Sequence, residues 1–172
     1  MNFPDLPSSL EAALAERGYA TATPVQAEVM QADAAGRDLV VSAQTGSGKT
    51  IAFGLAMAQE LLGDRESMPF AEQPLALIVA PTRELALQVS RELGWLYGKA
   101  GGRIATCVGG MNPQQERKAL RSGATIVVGT PGRLRDHLER GALDLSGLKV
   151  VVLDEADEML HMGFREELEE IL

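Results

Sequence analysis

A chain of 172 residues with 45% apolar composition carries enough hydrophobic material for one core, and its length points to one domain. The formal charge of -8 argues against a simple polyanion binder, because phosphate contacts normally leave a basic footprint on composition. A lone cysteine, Cys107, excludes an internal disulfide and offers no zinc cluster with only His137 and His161 beside it; with no leader-like start and no membrane-length apolar run, the expected setting is a reducing cytoplasm with no membrane contact.

Residues 1–34 are expected to form N-terminal helices around the segment Gly18 to Gln26 (GYATATPVQ), ahead of an α/β body in residues 35–172. Asp38 to Ala43 (DLVVSA) is β-branched and almost continuously apolar, as a strand covered on both faces should be. It runs directly into AQTGSGKT, from Ala43 to Thr50, and Lys49 to Leu62 is apolar at helical spacing. A glycine-rich turn between a strand and a helix is the setting in which this pattern holds nucleotide phosphates. Gly46 and Gly48 let the backbone curl until successive N–H groups face phosphate oxygens, and the helix dipole adds to their pull. Lys49 would reach the outer phosphates and Thr50 would take a magnesium ion, with Gln44, Thr45 and Ser47 completing the turn. Ala43 stands where the general pattern has glycine. Without its flanking elements the segment would be a glycine-rich turn with a surface lysine.

Gly63 to Pro74 is a polar, turn-rich loop, and Leu75 to Ala80 (LALIVA) is the second strand. Thr82 is an N-cap for a helix reaching Lys99. Arg103 to Val108 (RIATCV) and Ala124 to Gly129 (ATIVVG) are the third and fourth strands; Gly109-Gly110 follows the one, and the cap-plus-proline pair Thr130-Pro131 follows the other. Leu148 to Leu153 (LKVVVL) is the fifth, ending in Asp154-Glu155-Ala156-Asp157. A phosphate loop needs an acidic partner for its metal at the end of a neighbouring strand. Asp154 is placed to hold magnesium, mostly through water, and Glu155 to orient and deprotonate the attacking water. Taken alone, these acids would serve as a helix cap. The charges from Arg165 to Glu170 lie among Phe164, Leu168, Ile171 and Leu172 at helical spacing and read as the solvated face of an amphipathic helix.

Alternating strands and helices imply a doubly wound α/β fold, a mainly parallel sheet with helices on both faces. In such a sheet the carboxyl ends of the strands and the amino ends of the following helices emerge at one edge, where ligands bind.

Six segments in this order resemble the DEAD-box RNA helicases, specifically their first RecA-like P-loop NTPase domain. GYATATPVQ is similar to the family's Q motif, AQTGSGKT to motif I, PTRELALQ from Pro81 to motif Ia, Gly109-Gly110 to the glycine doublet, TPGR from Thr130 to motif Ib, and DEAD from Asp154 to motif II. The resemblance covers nearly the whole chain and implies ATP and Mg2+ as cofactors. It gives Gln26 the adenine N6 and N7 contacts, so that ATP is preferred to GTP, with Tyr19 and Thr21 in the same segment. Ala22 replaces a common proline there, and Phe3 either stacks on the base or anchors the amino terminus.

The resemblance also assigns Pro81, Thr82, Arg83, Gly109, Gly110, Thr130, Pro131, Gly132 and Arg133 to the sugar-phosphate backbone of RNA. Helix amino ends can hold phosphates with few cations, which reconciles RNA binding with a negative net charge. For Arg83 an ion pair inside the domain, with Glu84 or a motif acid, is the alternative; for Gly109-Gly110, a plain turn. Asp157 is implied to couple the ATP site to a later Ser-Ala-Thr motif, which this sequence lacks, as it lacks a second RecA-like domain carrying the arginine finger. The chain is therefore expected to be one half of the enzyme, nearly inert alone. A P-loop ATPase outside the helicases, or a protein-binding module of the same fold, would also account for part of the pattern.

Overall fold

The computed structural model describes residues 8–16, 39–41, 50, 54, 55, 57, 61, 62, 73–110 and 112–171. In chain order the elements are α1 (Ser8–Glu16), β1 (Leu39–Val41), β2 (Ala76–Val79), α2 (Arg83–Gly98), β3 (Ile104–Cys107), α3 (Pro113–Arg121), β4 (Ile126–Gly129), α4 (Pro131–Glu139), β5 (Val150–Asp154), α5 (Ala156–His161) and α6 (Arg165–Ile171). Thr50, Gly54, Leu55 and Leu61, between β1 and β2, are helical.

The five strands form one sheet in the order β1-β5-β2-β4-β3, and every neighbouring pair is parallel. Strand alternation divides the core in two. Ala76 and Ile78 of β2, Ile126 and Val128 of β4, and Val150 and Val152 of β5 pack with Leu10 and Leu14 of α1, with Leu55, Met57, Leu61 and Leu62, and with Leu93 and Leu96 of α2. Leu77, Val79 and Val127 point the other way, onto Leu120 of α3, Leu134 of α4, Met159 of α5, and Leu168 and Ile171 of α6. Helices therefore cover both faces, as expected of a doubly wound sheet. Each fully buried branched side chain contributes about 1.5–3 kcal/mol, so this two-sided burial is the main term holding the layers together.

Local chemistry sets the helix starts. Thr82, extended at φ -129° and ψ 157°, accepts from the Leu85 N–H at 3.3 Å and begins α2. Asn112 accepts from the Gln114 N–H at 2.9 Å, and Pro113 opens α3, a helix the sequence reading did not single out. β5 occupies Val150–Asp154 rather than Leu148 to Leu153, so Asp154 is the strand's last residue instead of the first beyond it. On α6, Leu168 and Ile171 are buried, and Arg135 of α4 reaches Glu170 at 2.8 Å and Glu167 at 3.6 Å. Among the described residues no helix is long and apolar enough to cross a membrane.

Gly129 closes β4 where only hydrogen fits. A Cβ there would stand 2.6 Å from the Cys107 carbonyl oxygen and 2.7 Å from Leu134 Cδ2. That carbonyl accepts from the Thr130 N–H at 3.1 Å and cannot retreat without breaking the bond. Gly129→Ala should cost about 1–3 kcal/mol by overpacking, measured as a lower urea midpoint at unchanged slope.

Candidate functional site

Register brings the strand ends level. Val41 lies opposite Asp154, Val79 lies opposite both Leu153 and Gly129, and Gly129 lies opposite Cys107. Every described candidate residue follows one of these ends, except Asp154, which is itself one. The strand order then divides the edge. β1 and β5 occupy one end and present Asp154-Glu155; β2, β4 and β3 present, side by side, Pro81-Thr82-Arg83, Thr130 to Arg133, and Gly109-Gly110. With strands about 4.8 Å apart, roughly 14 Å separates β5 from β3.

At the first end the chain leaves β1 and β5 for opposite faces. Leu55 and Leu61 pack on one face and Met159 of α5 on the other. In open sheets of this class, ligands bind beyond the strand ends where such a reversal occurs. Asp154 is 1% exposed and Thr50 6% exposed. A carboxylate and a hydroxyl are oxygen donors and suit a hard cation such as magnesium.

Glu155 has φ 54° and ψ 52°, the single positive φ outside glycine among the described residues. Left-handed backbone at a residue with a Cβ costs about 1–3 kcal/mol and persists only where its surroundings enforce it, a condition met at functional sites more than elsewhere. It makes the bend by which the chain turns from β5 into α5, and its side chain forms no cap hydrogen bond. Asp157 lies in α5, with its side chain outside the described residues. Phe3, Tyr19, Thr21, Gln26, Ala43, Gln44, Thr45, Gly46, Ser47, Gly48 and Lys49 also lie outside them.

At the second end, the exposed Arg83 extends past the end of β4 to Gly110. Gly110 has φ +83°, a backbone conformation that favours glycine, and a Cβ there would stand 2.7 Å from Arg83 Nη1, which would have to swing aside. No neighbour crowds Gly109 or Gly132. Thr130 begins α4 with extended backbone and no side-chain cap bond, and Pro131 occupies the first turn. The two segments that sequence alone places far apart, from Pro81 and from Gly109, thus meet.

Arg133 is engaged inside the domain. Its Nη1 donates to Glu116 Oε1 at 3.1 Å, with side chains 15% and 4% exposed, an ion pair of the kind weighed for Arg83. Glu116 is the residue that sequence reasoning missed. Its Oε2 accepts from the Val108 N–H at 3.0 Å, and its Oε1 is also 2.8 Å from Nε2 of the buried His137. Beside a carboxylate oxygen Nε2 takes the donor role, which places a proton on that nitrogen. A charged residue in the polar stretch PQQERKALR carries no sign that it will be buried.

Cys107 joins this cluster: its sulfur and ligand atoms of Glu116 and His137 lie within 4.8 Å of one another, a proximity the sequence reading did not anticipate. Burial first, then the Glu116 charge, push the thiol up to about 12, with Arg133 opposing. The guanidinium touching the same carboxylate opposes a second cation there, and both carboxylate oxygens already accept hydrogen bonds.

Comparison with known proteins bears on the family and the fold. A family model described as DEAD/DEAH box helicase matches residues 23–172. The chain is 48% identical over 161 residues to the ATP-dependent RNA helicase DeaD of Escherichia coli strain K12, covering 93% of this chain and 25% of that protein. It is 42% identical over 167 residues to the DEAD-box ATP-dependent RNA helicase CshA of Bacillus licheniformis, covering 97% and 33%. A crystal structure of a DEAD box protein from the hyperthermophile Methanococcus jannaschii superposes with a TM-score of 0.85 at 38% identity, over 99% of this chain and 46% of that one. A hypothetical ATP-dependent RNA helicase from Sulfolobus tokodaii gives 0.83 at 34% identity, over 96% and 46%. The chain thus spans 25% and 33% of these two curated relatives. Its family match over residues 23–172, together with the same fold at these identities, establishes that it belongs to the DEAD/DEAH box helicase family.

Proposed function

We propose that this chain is the first RecA-like domain of an ATP-dependent RNA helicase, with Mg-ATP at the β1–β5 end of the edge and RNA backbone at the β2–β4–β3 end. The observation that carries this reading is the pairing of Val41 with Asp154, which sets the strand leading toward the phosphate-loop sequence beside the metal-binding acid. Gln26, with Tyr19 and Thr21, selects adenine; the segment from Ala43 to Lys49 cradles the phosphates; Thr50 and Asp154 hold the ion. Bound magnesium neutralises charge on the outer phosphates. Glu155 orients the attacking water and accepts its proton.

RNA is held without much cationic charge. The backbone amides that open α4, the open turn at Gly109-Gly110, and the Arg83 guanidinium meet phosphates and sugars, so selectivity among sequences is low. Arg133, already paired to Glu116, contributes by fixing the start of α4 as well as by its charge. A second RecA-like domain elsewhere in the polypeptide completes the RNA groove and supplies the arginine finger, and Asp157 links the two ligand sites. The lone buried thiol accords with a reducing cytoplasm.

RNA binding by the full-length protein provides the test. Arg83→Ala should weaken binding to all sequences alike and lower the salt slope of RNA affinity by about one, while ADP affinity holds and ADP outcompetes GDP. An unchanged salt slope, or equal competition by GDP, would defeat the corresponding half of the assignment.

A further inference from the structure

Glu116 belongs to α3, to which no RNA-facing residue has been assigned, yet its carboxylate joins two of the elements that are. Oε2 accepts from the amide of Val108, the residue immediately before Gly109-Gly110. Oε1 accepts from Arg133 in the first turn of α4 and from His137 one turn later. Val108 and His137 are fully buried, and the Glu116 side chain is nearly so. Charge-assisted bonds are roughly twice as strong as neutral ones, and here water cannot compete for either partner. One further bond crosses the same joint, from the Thr130 N–H to the Cys107 carbonyl at 3.1 Å.

The consequence is geometric. The glycine turn after β3 and the amino end of α4 after β4 cannot shift independently while one buried carboxylate holds both. Arg83 lies against Gly110, so the third element of this half of the edge registers on the same turn. The Glu116 bond also holds the Arg133 guanidinium against the domain, which leaves the α4 amides, and not that side chain's full charge, to face a phosphate.

We infer that Glu116 is a positioning residue for RNA: it sets the spacing between the Gly109-Gly110 turn and the start of α4, so that neighbouring phosphates of one strand meet both at once. This rests on reading the β2–β4–β3 end as the RNA site. Its contribution is pre-organisation, since elements already held in the bound arrangement lose less freedom when the ligand arrives.

The test uses the full-length protein carrying Glu116→Leu, which keeps bulk without an acceptor, Glu116→Gln, which keeps one acceptor oxygen, and Glu116→Asp, which withdraws both oxygens by a methylene. Measured for each are single-stranded RNA affinity, the RNA concentration giving half-maximal ATP turnover, and ADP affinity. For Glu116→Leu the two RNA quantities should worsen by roughly ten- to a hundredfold, the scale of loss from about 1 Å of misplacement, with ADP affinity intact. Glu116→Gln, which keeps one accepting oxygen but turns an NH2 donor toward the other donor set, should recover only part of the loss, as should Glu116→Asp. A merely structural role predicts that ADP affinity and melting temperature fall together with RNA affinity, and that result, or wild-type RNA affinity in a folded Glu116→Leu protein, overturns the inference. If Glu116→Leu does not fold, Glu116→Asp decides: weaker RNA binding at unchanged ADP affinity supports the role, and unchanged RNA binding ends it. Arg83→Ala, run in parallel, separates the two levels. Intact RNA binding in that variant removes the RNA site itself, whereas a loss there without any loss in the Glu116 variants removes only the positioning role.

Discussion

Glu155→Gln in the full-length protein is expected to lower ATP turnover by about 10²–10⁴-fold while nucleotide affinity stays intact, the span attributed to a positioned general base. The amide matches the carboxylate in shape but cannot accept the water's proton. A melting temperature measured alongside separates any effect on folding from the loss of the base. The backbone at this position supplies a second readout. Its φ of 54° is a conformation glycine adopts freely, so Glu155→Gly should stabilise the fold by about 1 kcal/mol while also losing turnover. Stability gained with activity lost would mark strain retained for chemistry. Turnover within about tenfold of wild type in Glu155→Gln would remove Glu155 from the base role.

Alkaline pH should unfold the domain through two buried acids. Cys107 is pushed up from an ordinary 9.0 to about 12 by burial, then by Glu116. The Tyr97 hydroxyl, wholly buried and donating to the Gly54 carbonyl, is pushed up from an ordinary 10.0 by burial. Both pKa values are higher in the folded state, so the folded form keeps protons that the unfolded form releases. The stabilisation is complete below about pH 9 and erodes as pH rises above each unfolded value, at about 1.4 kcal/mol per pH unit per group. By pH 11 the combined loss is on the order of 4 kcal/mol, a large part of a typical domain's 5–15 kcal/mol. Denaturant midpoints from pH 8 to 11 test this. Cys107→Ala should flatten the fall that begins near pH 9, and Tyr97→Phe the part that begins near pH 10. Equal pH slopes in wild type and both variants would show that neither group carries the effect.

Much of the fold was legible because its signals are short-range. Continuous β-branched runs such as LALIVA and ATIVVG mark strands covered on both faces, and the structure places β2 and β4 inside them. Thr82, by its cap bond, and Pro131, by its place in the first turn, announced α2 and α4 through chemistry that reaches only a few residues along the chain, although the cap expected of Thr130 does not form. α3 was missed because its apolar residues are only Ala119 and Leu120, too few to show a period, and its start depends on Asn112 and Pro113 alone.

Local patterns along the chain name the succession of strands and most of the helices between them, and with it the gathering of candidate residues at one sheet edge. In a parallel sheet with helical crossovers, every strand must finish on the same side. Which residues become neighbours was settled when the layers packed. The order β1-β5-β2-β4-β3 puts Asp154 beside Val41 and sets the three other segments together at the far end. It lays Arg83 over Gly110 and buries Glu116 between Val108, Arg133 and His137, partners 8, 17 and 21 residues away. Propensity and periodicity act over a few residues, whereas a buried charge finds its partners only when the layers close, so no pattern near Glu116 could name them.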